Sequence, residues 1–274
     1  MLDGTPHSLT RTLLPWRDVL SIPVADLDTP EALRFLNERL AAKSYTPVAF
    51  LNANNANIAT EDPSLDKILN HFIILSDGIG VDIASWMLHG AMFKANLNGT
   101  DFVPALLASS TRGLKVGLIG ARGDVVSAAR DSFAEKYPQH DFSIIADGFF
   151  KAEDEPKIRE NLIAIRPDIL LVAMGVPRQE QFIVRLLSGE TCTMPIAVGA
   201  LFDLYTGSVP RAPEWMRTTR TEWIYRLWRE PKRLWRRYAV GNPLFLLRVM
   251  RCKFNGASKD KGAALAPDLV DQQS

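Results

Sequence analysis

The 274-residue sequence predicts an α/β fold: a mostly parallel sheet covered by helices and followed by a basic tail. Short apolar runs of strand length alternate with longer amphipathic ones, the pattern of repeated β-α units. Six residues, Asn52, Asp77, Gly120, Asp147, Gly175 and Gly199, fall just past six such runs, at the edge where open α/β sheets bind ligands. Charge is the third observation. Residues 211–253 hold 12 Lys/Arg against three Asp/Glu, so the net +1 of the chain conceals a tail of +9 and a remainder of −8.

Taken in order, the first helix is expected over 30–42. Thr29 can cap it, Pro30 suits a first position that needs no N–H, and Glu31 meets the positive end of the dipole. Strands follow at 47–51, ending at Asn52, and at 72–75, ending in Ser76-Asp77-Gly78. Asn98-Gly99-Thr100-Asp101 starts a helix over 101–108. A strand at 115–119 leads through a glycine-marked turn into a helix over 125–136, and the strand at 142–145 ends just before Asp147. A helix over 156–165 precedes the buried strand 169–174, which turns at Gly175 and a rigid Pro177 into a helix over 178–187. The last strand, 195–198, ends at Gly199.

With 47% hydrophobic residues the chain can bury one large core, and one domain over 14–206 plus an appendage over 207–255 is the organisation expected. Residues 1–13 and 256–274 read as disordered ends. Cys192 and Cys252 stand alone, without disulfide or zinc spacing, which fits a reducing, cytoplasmic setting. No signal-peptide pattern is read and no run approaches the roughly 20 apolar residues of a membrane span. Four of the six tryptophans, Trp215, Trp223, Trp228 and Trp235, sit among the tail's arginines. That mixture suits a membrane headgroup layer or a polyanion, or a solvated helical face with a few buried rings.

Asp77, between small residues at a strand end, is placed to act as a general base, although an Asp-Gly turn bonding its own backbone reads the same way. Gln179 can donate and accept at the same edge, with Arg178 and Glu180 as a solvated pair. Thr100 can face that cleft, while Asp101 reads first as a helix-start residue. Gly117-Leu-Ile-Gly120-Ala-Arg-Gly123 is spaced GxxGxxG and not GxGxxG, so a tight turn and a nucleotide-adjacent loop fit it equally. Asp26-Leu27-Asp28 matches the DxD of metal-dependent sugar transferases, but acids are also expected just before a helix start. The four histidines share no ligand spacing.

In order, LNANNAN at Leu51, SDGIGVD at Ser76, NGTD at Asn98, VGLIGARG at Val116, VAMGVPRQE at Val172, GALFDLYTGSVPRAPEWM at Gly199 and EWIYRLWREPKRLWRR at Glu222 resemble the WecG/TagA/CpsF family of glycosyltransferases, over about residues 20–247. The resemblance implies a Rossmann-like sheet with a helical basic C-terminal appendage. It also implies an inverting, metal-independent transfer of a sugar from a nucleoside diphosphate to a polyprenyl-diphosphate-linked glycan, with no cofactor. The partners so implied are a UDP-sugar, that lipid-linked acceptor and an anionic membrane surface met peripherally from the cytoplasmic side, with no nucleic acid; homo-oligomerisation is left open. Carried over by position, Asp77 matches the proposed base and Gln179 a polar residue of the same pocket, with Asn52 beside the donor. Phe149 and Asp203 match positions that stack on and bond the nucleotide's base, and Arg226, Arg233 and Arg236 match arginines that close over the diphosphate. Two departures stand out. Phe149 replaces a usual tyrosine, and Leu51 stands where many members carry threonine. The second points toward the GumM-like subgroup that includes the xanthan glucosyltransferase, with glucose as well as N-acetylmannosamine as the donor sugar.

Two other classes fit parts of the chain. A nicotinamide-dependent oxidoreductase would use the same sheet but lacks the GxGxxG spacing and a ribose-binding acid. A nucleotide-responsive membrane or nucleic-acid adaptor would use the basic tail and leave Asp77 and Gln179 without a role.

Overall fold

The computed structural model describes residues 8–206, 216, 222–229 and 231–263. It opens with α1 (Leu9–Leu13) and a hairpin of β1 (Trp16–Val19) and β2 (Ile22–Ala25). The hairpin's two connecting residues, Leu20 and Ser21, both have positive φ, as a turn matching strand twist requires. The expectation of a disordered start fails at residues 8–13. Thr10 is buried; its Oγ1 donates to the Phe72 carbonyl and accepts from the Ile74 N–H, both at 3.0 Å.

Next come α2 (Thr29–Ala41), β3 (Val48–Leu51), α3 (Ala53–Glu61), α4 (Pro63–Leu69), β4 (Ile73–Ser76), α5 (Ile79–His89), α6 (Gly99–Ser109) and β5 (Lys115–Gly120). After them lie α7 (Gly123–Lys136), β6 (Asp141–Ala146), α8 (Glu155–Ile165), β7 (Ile169–Ala173), α9 (Arg178–Leu186), β8 (Met194–Ala197) and α10 (Leu201–Tyr205). Asp28, not Thr29, caps α2: its carboxylate accepts from the Glu31 N–H while Glu31 accepts from the Asp28 N–H, both at 2.8 Å. Asp26 pairs with Arg17 at 2.7 Å. Both acids of the DxD triplet are therefore committed to holding the fold.

β3 to β8 form one parallel sheet in the order β4-β3-β8-β7-β5-β6. Successive strand residues alternate between two cores, as the strand period of two demands. Val116, Leu118, Ile169, Leu171 and Ile196 join α2, α6, α7 and α10 on one face. On the other, Ile119, Leu170, Val172 and Ala197 meet α3, α4, α5, α8 and α9.

The tail contains α11 (Glu222–Arg229), α12 (Pro231–Trp235), a π-helical turn (Arg236–Gly241) and α13 (Asn242–Ala263). The last helix is seated in the second core: Phe245 and Val249 are fully buried there. Asn57 Nδ2 donates to the Gly241 carbonyl at 2.8 Å, and Arg248 returns two bonds to Asn57 and one to Glu61. Much of the segment expected as a separate appendage is thus stitched to α3 and α5. Residues 207–215, 217–221 and 264–274 lie outside the described residues, and with them Trp215 and most of the expected disordered end.

Candidate active site

All six strands point their carboxyl ends at one cleft of about 660 Å³. The cleft runs across the strand order. Asp77 follows β4 and Asn52 follows β3; Gly199 follows β8, Gly175 follows β7, Arg122 follows β5 and Phe149 follows β6. β3 and β5 are three strand spacings apart, about 14 Å, a span for an extended ligand with a different group at each end.

At the β3–β4 end, Asn52 does two jobs. Its Oδ1 accepts from the Asn55 N–H at 3.1 Å and caps α3, which leaves its Nδ2 to donate to Asp77 Oδ2 at 3.0 Å. Asp77 is anchored through its own N–H to the Leu51 carbonyl, and Gly78, at φ 90, donates its N–H to Asn96 Oδ1 at 2.8 Å. Glycine tolerates that backbone where a side chain would be strained. The carboxylate is therefore held on a rigid turn and aimed by an amide.

Gln179 lines the middle of the cleft and is 3% exposed. Its Oε1 accepts from Gly175 N at 3.2 Å and from Gly199 N at 3.1 Å, and its Nε2 donates to Glu180 Oε1 at 2.9 Å. One amide therefore ties the turn after β7 to the turn after β8, at the polar pocket position expected of Gln179. Glu180 is no solvated partner of Arg178. It is 3% exposed, Oε2 has no partner among the described residues, and burial raises its pKa above the ordinary 4.5.

Thr100 lines the cleft, its Oγ1 donating to Asn98 Oδ1 at 2.7 Å. Asp101 does not: its N–H and Oδ2 both bond Asn98, each at 3.0 Å, at the start of α6. The glycine block forms the tight turn of its first reading, and that turn borders the cleft. Gly120, at φ 117, lies so close to the Ala173 carbonyl that any Cβ would collide with it, and the turn it makes puts Ala121 and Arg122 into the cleft wall. Phe149 and Asp203 line the same end.

Among the tail arginines, the side chains of Arg226 and Arg233 lie outside the described residues. Arg236 is exposed, stacked on Trp235 with its guanidinium carbon 5.6 Å from the ring centroid, and does not line the cleft. Its neighbour Arg237 does. The π-helical turn that carries both packs on α3 and sets which of the two faces inward; such turns recur at functional sites. Arg122 and Arg237 were the residues that motif reading passed over, one inside the glycine block and one beside a matched arginine.

The profile of the Glycosyl transferase WecG/TagA/CpsF family matches residues 17–259. The chain belongs to the WecG/TagA/CpsF family. As a member of it, the protein is a glycosyltransferase. It is 30% identical over 234 residues to the N-acetylglucosaminyldiphosphoundecaprenol N-acetyl-beta-D-mannosaminyltransferase of Bacillus subtilis strain 168, covering 84% of this chain and 90% of that protein. The enzyme of the same name from Bacillus spizizenii strain W23 is 30% identical over 208 residues, with 74% and 79% covered. That of Staphylococcus aureus strain MW2 is 27% identical over 240 residues, with 86% and 92% covered. Matched residues 17–259 extend into α13 past Phe245 and Val249, so the WecG/TagA/CpsF unit includes the part of that helix seated in the second core.

Proposed function

We propose that this glycosyltransferase moves a sugar from a UDP-sugar to a polyprenyl-diphosphate-linked N-acetylglucosamine acceptor, by a single displacement that inverts the anomeric centre and uses no metal. The observation that carries it is the pair at the β3–β4 end, where Asn52 aims the Asp77 carboxylate into the cleft at 3.0 Å. Asp77 takes the proton of the acceptor hydroxyl as its oxygen attacks the anomeric carbon. The bond from that carbon to the diphosphate oxygen breaks, and UDP leaves with the electron pair.

Charge on the departing diphosphate is balanced by arginine. Arg237 lines the cleft on the α3 side, and Arg226 and Arg233 join it by family position; preorganised cations in a shielded site do the work a metal would do. The uracil lies at the β5–β6 end against Phe149, with Asp203 accepting from its ring N–H. N-acetylmannosamine is the donor sugar the relatives' names favour, and the Leu51 departure keeps glucose beside it. No described helix is long and apolar enough to cross a membrane. We place the enzyme peripherally on the cytoplasmic face, where the tail's +9 and exposed Trp228 and Trp235 meet anionic lipid.

The test is turnover of UDP-N-acetylmannosamine and UDP-glucose on a lipid-diphosphate N-acetylglucosamine, with the product's anomeric configuration read by NMR. Inverted product in the presence of EDTA is the expected outcome. Retention of configuration would reject the single displacement, and activity abolished by EDTA and restored by Mn²⁺ would reject metal independence.

A further inference from the structure

The β5–β6 end of the cleft carries a charge that the transfer step does not use. Phe149 is 72% exposed at the cleft wall. Its loop is fixed by Asp147 Oδ1, which accepts from the Phe149 N–H at 2.8 Å, and by the Gly148 N–H, which donates to the Ala121 carbonyl at 2.6 Å. An aromatic face so presented is a stacking platform that accepts any base, so the choice of base must come from the polar groups around it.

Two of these groups have opposite charge. Asp203 lies in α10 and Arg122 immediately precedes α7; the two helices pack on each other, both residues line the cleft, and the Asp203 charge is felt at the Arg122 guanidinium. Arg122 also bonds Asp124 at 3.1 and 2.7 Å, with the two side chains 69% and 67% exposed. An ion pair that wet holds little free energy. The guanidinium can therefore exchange Asp124 for a ligand oxygen.

We propose that Arg122 selects the donor's base, donating to the C4 carbonyl oxygen of uracil while Asp203 accepts from the adjacent N3–H. This rests on the reading of the cleft as a nucleoside-diphosphate site. Uracil offers an N–H flanked by carbonyls, which matches a carboxylate set beside a guanidinium. Cytosine shares the C2 carbonyl but carries an unprotonated N3 and a C4 amine, the reverse signs at the two positions that Asp203 and Arg122 face. Held in the uracil register, it turns a lone pair toward Asp203 and an amine toward Arg122. Leaving a site's polar groups mismatched is the strong form of discrimination.

Calorimetric titration of the full chain with UDP, CDP and pyrophosphate tests the assignment. Wild type should bind UDP at least about tenfold tighter than CDP. Arg122→Ala should weaken UDP by roughly ten- to a hundredfold, the range for a charge-assisted bond, and leave CDP and pyrophosphate within about threefold. Asp124→Asn should stay within about threefold of wild type for UDP. An Arg122→Ala protein that keeps its preference for UDP, or loses all three ligands alike, overturns the proposal; the second result would make Arg122 a general phosphate contact. Equal losses in Asp124→Asn and Arg122→Ala would overturn it too, reducing the pair to a helix-start staple. Wild type that binds no nucleoside diphosphate would instead overturn the site reading beneath it.

Discussion

At the scale of single residues, the proposed base and the groups that hold it give separable predictions. Asp77→Asn keeps the shape of the side chain and removes its basicity, so donor binding should persist while turnover falls by about 10²- to 10⁴-fold. Steady-state kinetics beside UDP titration reads both, and a loss under threefold in a folded protein would remove Asp77 from the base's role. Asn52→Ala loses the amide that aims Asp77 and the cap of α3 together. Turnover should drop about 10- to 100-fold, the cost of a misplaced reacting group, with thermal unfolding as the control for the cap. Glu180 gives a pH prediction. Its raised folded pKa means that the protonated form is favoured in the fold. The stability this contributes is complete below the ordinary 4.5 and is lost as pH rises through the folded pKa. Glu180→Gln should flatten that decline, measured by denaturant midpoints across pH; an unchanged pH profile would show that Glu180 is ionised in place.

At the scale of elements, the six parallel strands were legible within a residue or two because five are buried apolar runs and β6 is a half-buried edge run, each followed by a polar or glycine turn. That Asp77, Asn52 and Gln179 border the cleft was legible for the same reason, since clefts in such sheets open at the strand ends. What stayed hidden was set by tertiary context. α3 begins ANNAN and shows no apolar stripe, yet Asn52 caps it and Ala53, Ala56 and Ala59 bury its inner face. α13 reads as more basic tail, but Phe245 and Val249 fit between α3 and α5. Arg237 could not be told from Arg236, because a π-helical turn changes the period from which facing is inferred. This seat changes the outcome of truncation. Phe245→Ala should cost about 3–5 kcal/mol, the range for a buried phenylalanine. A chain ending near Thr206, which sequence reasoning expects to be a soluble core, should bind a hydrophobic dye and melt early. A cooperative melt of that fragment at the full-length temperature would argue that α13 is dispensable to the core.

At the scale of the whole molecule, the +9 of residues 211–253 is segregated from the −8 elsewhere. If exposed tail charges hold the enzyme on lipid, flotation with anionic vesicles should fall as salt rises, since such charges are screened over about 8 Å at physiological ionic strength. Turnover on a detergent-dispersed acceptor should vary less, because arginines enclosed with a diphosphate are shielded from bulk ions. Full-length protein that ignores anionic vesicles at low salt would leave the basic segment as an ordinary solvated surface.

The strand order has a consequence for synthesis. β8, the last strand made, lies between β3 and β7. Until residues 194–197 leave the ribosome, the chain is two half-sheets with facing, unpaired edges, and such edges recruit other chains. Asp77 and Arg122 then belong to different halves. A nascent chain halted before Met194 should remain open to protease and to holding chaperones, while one long enough to insert β8 and seat α13 should become resistant in a single step. Protection arising in two stages, one per half-sheet, would show that each half folds alone.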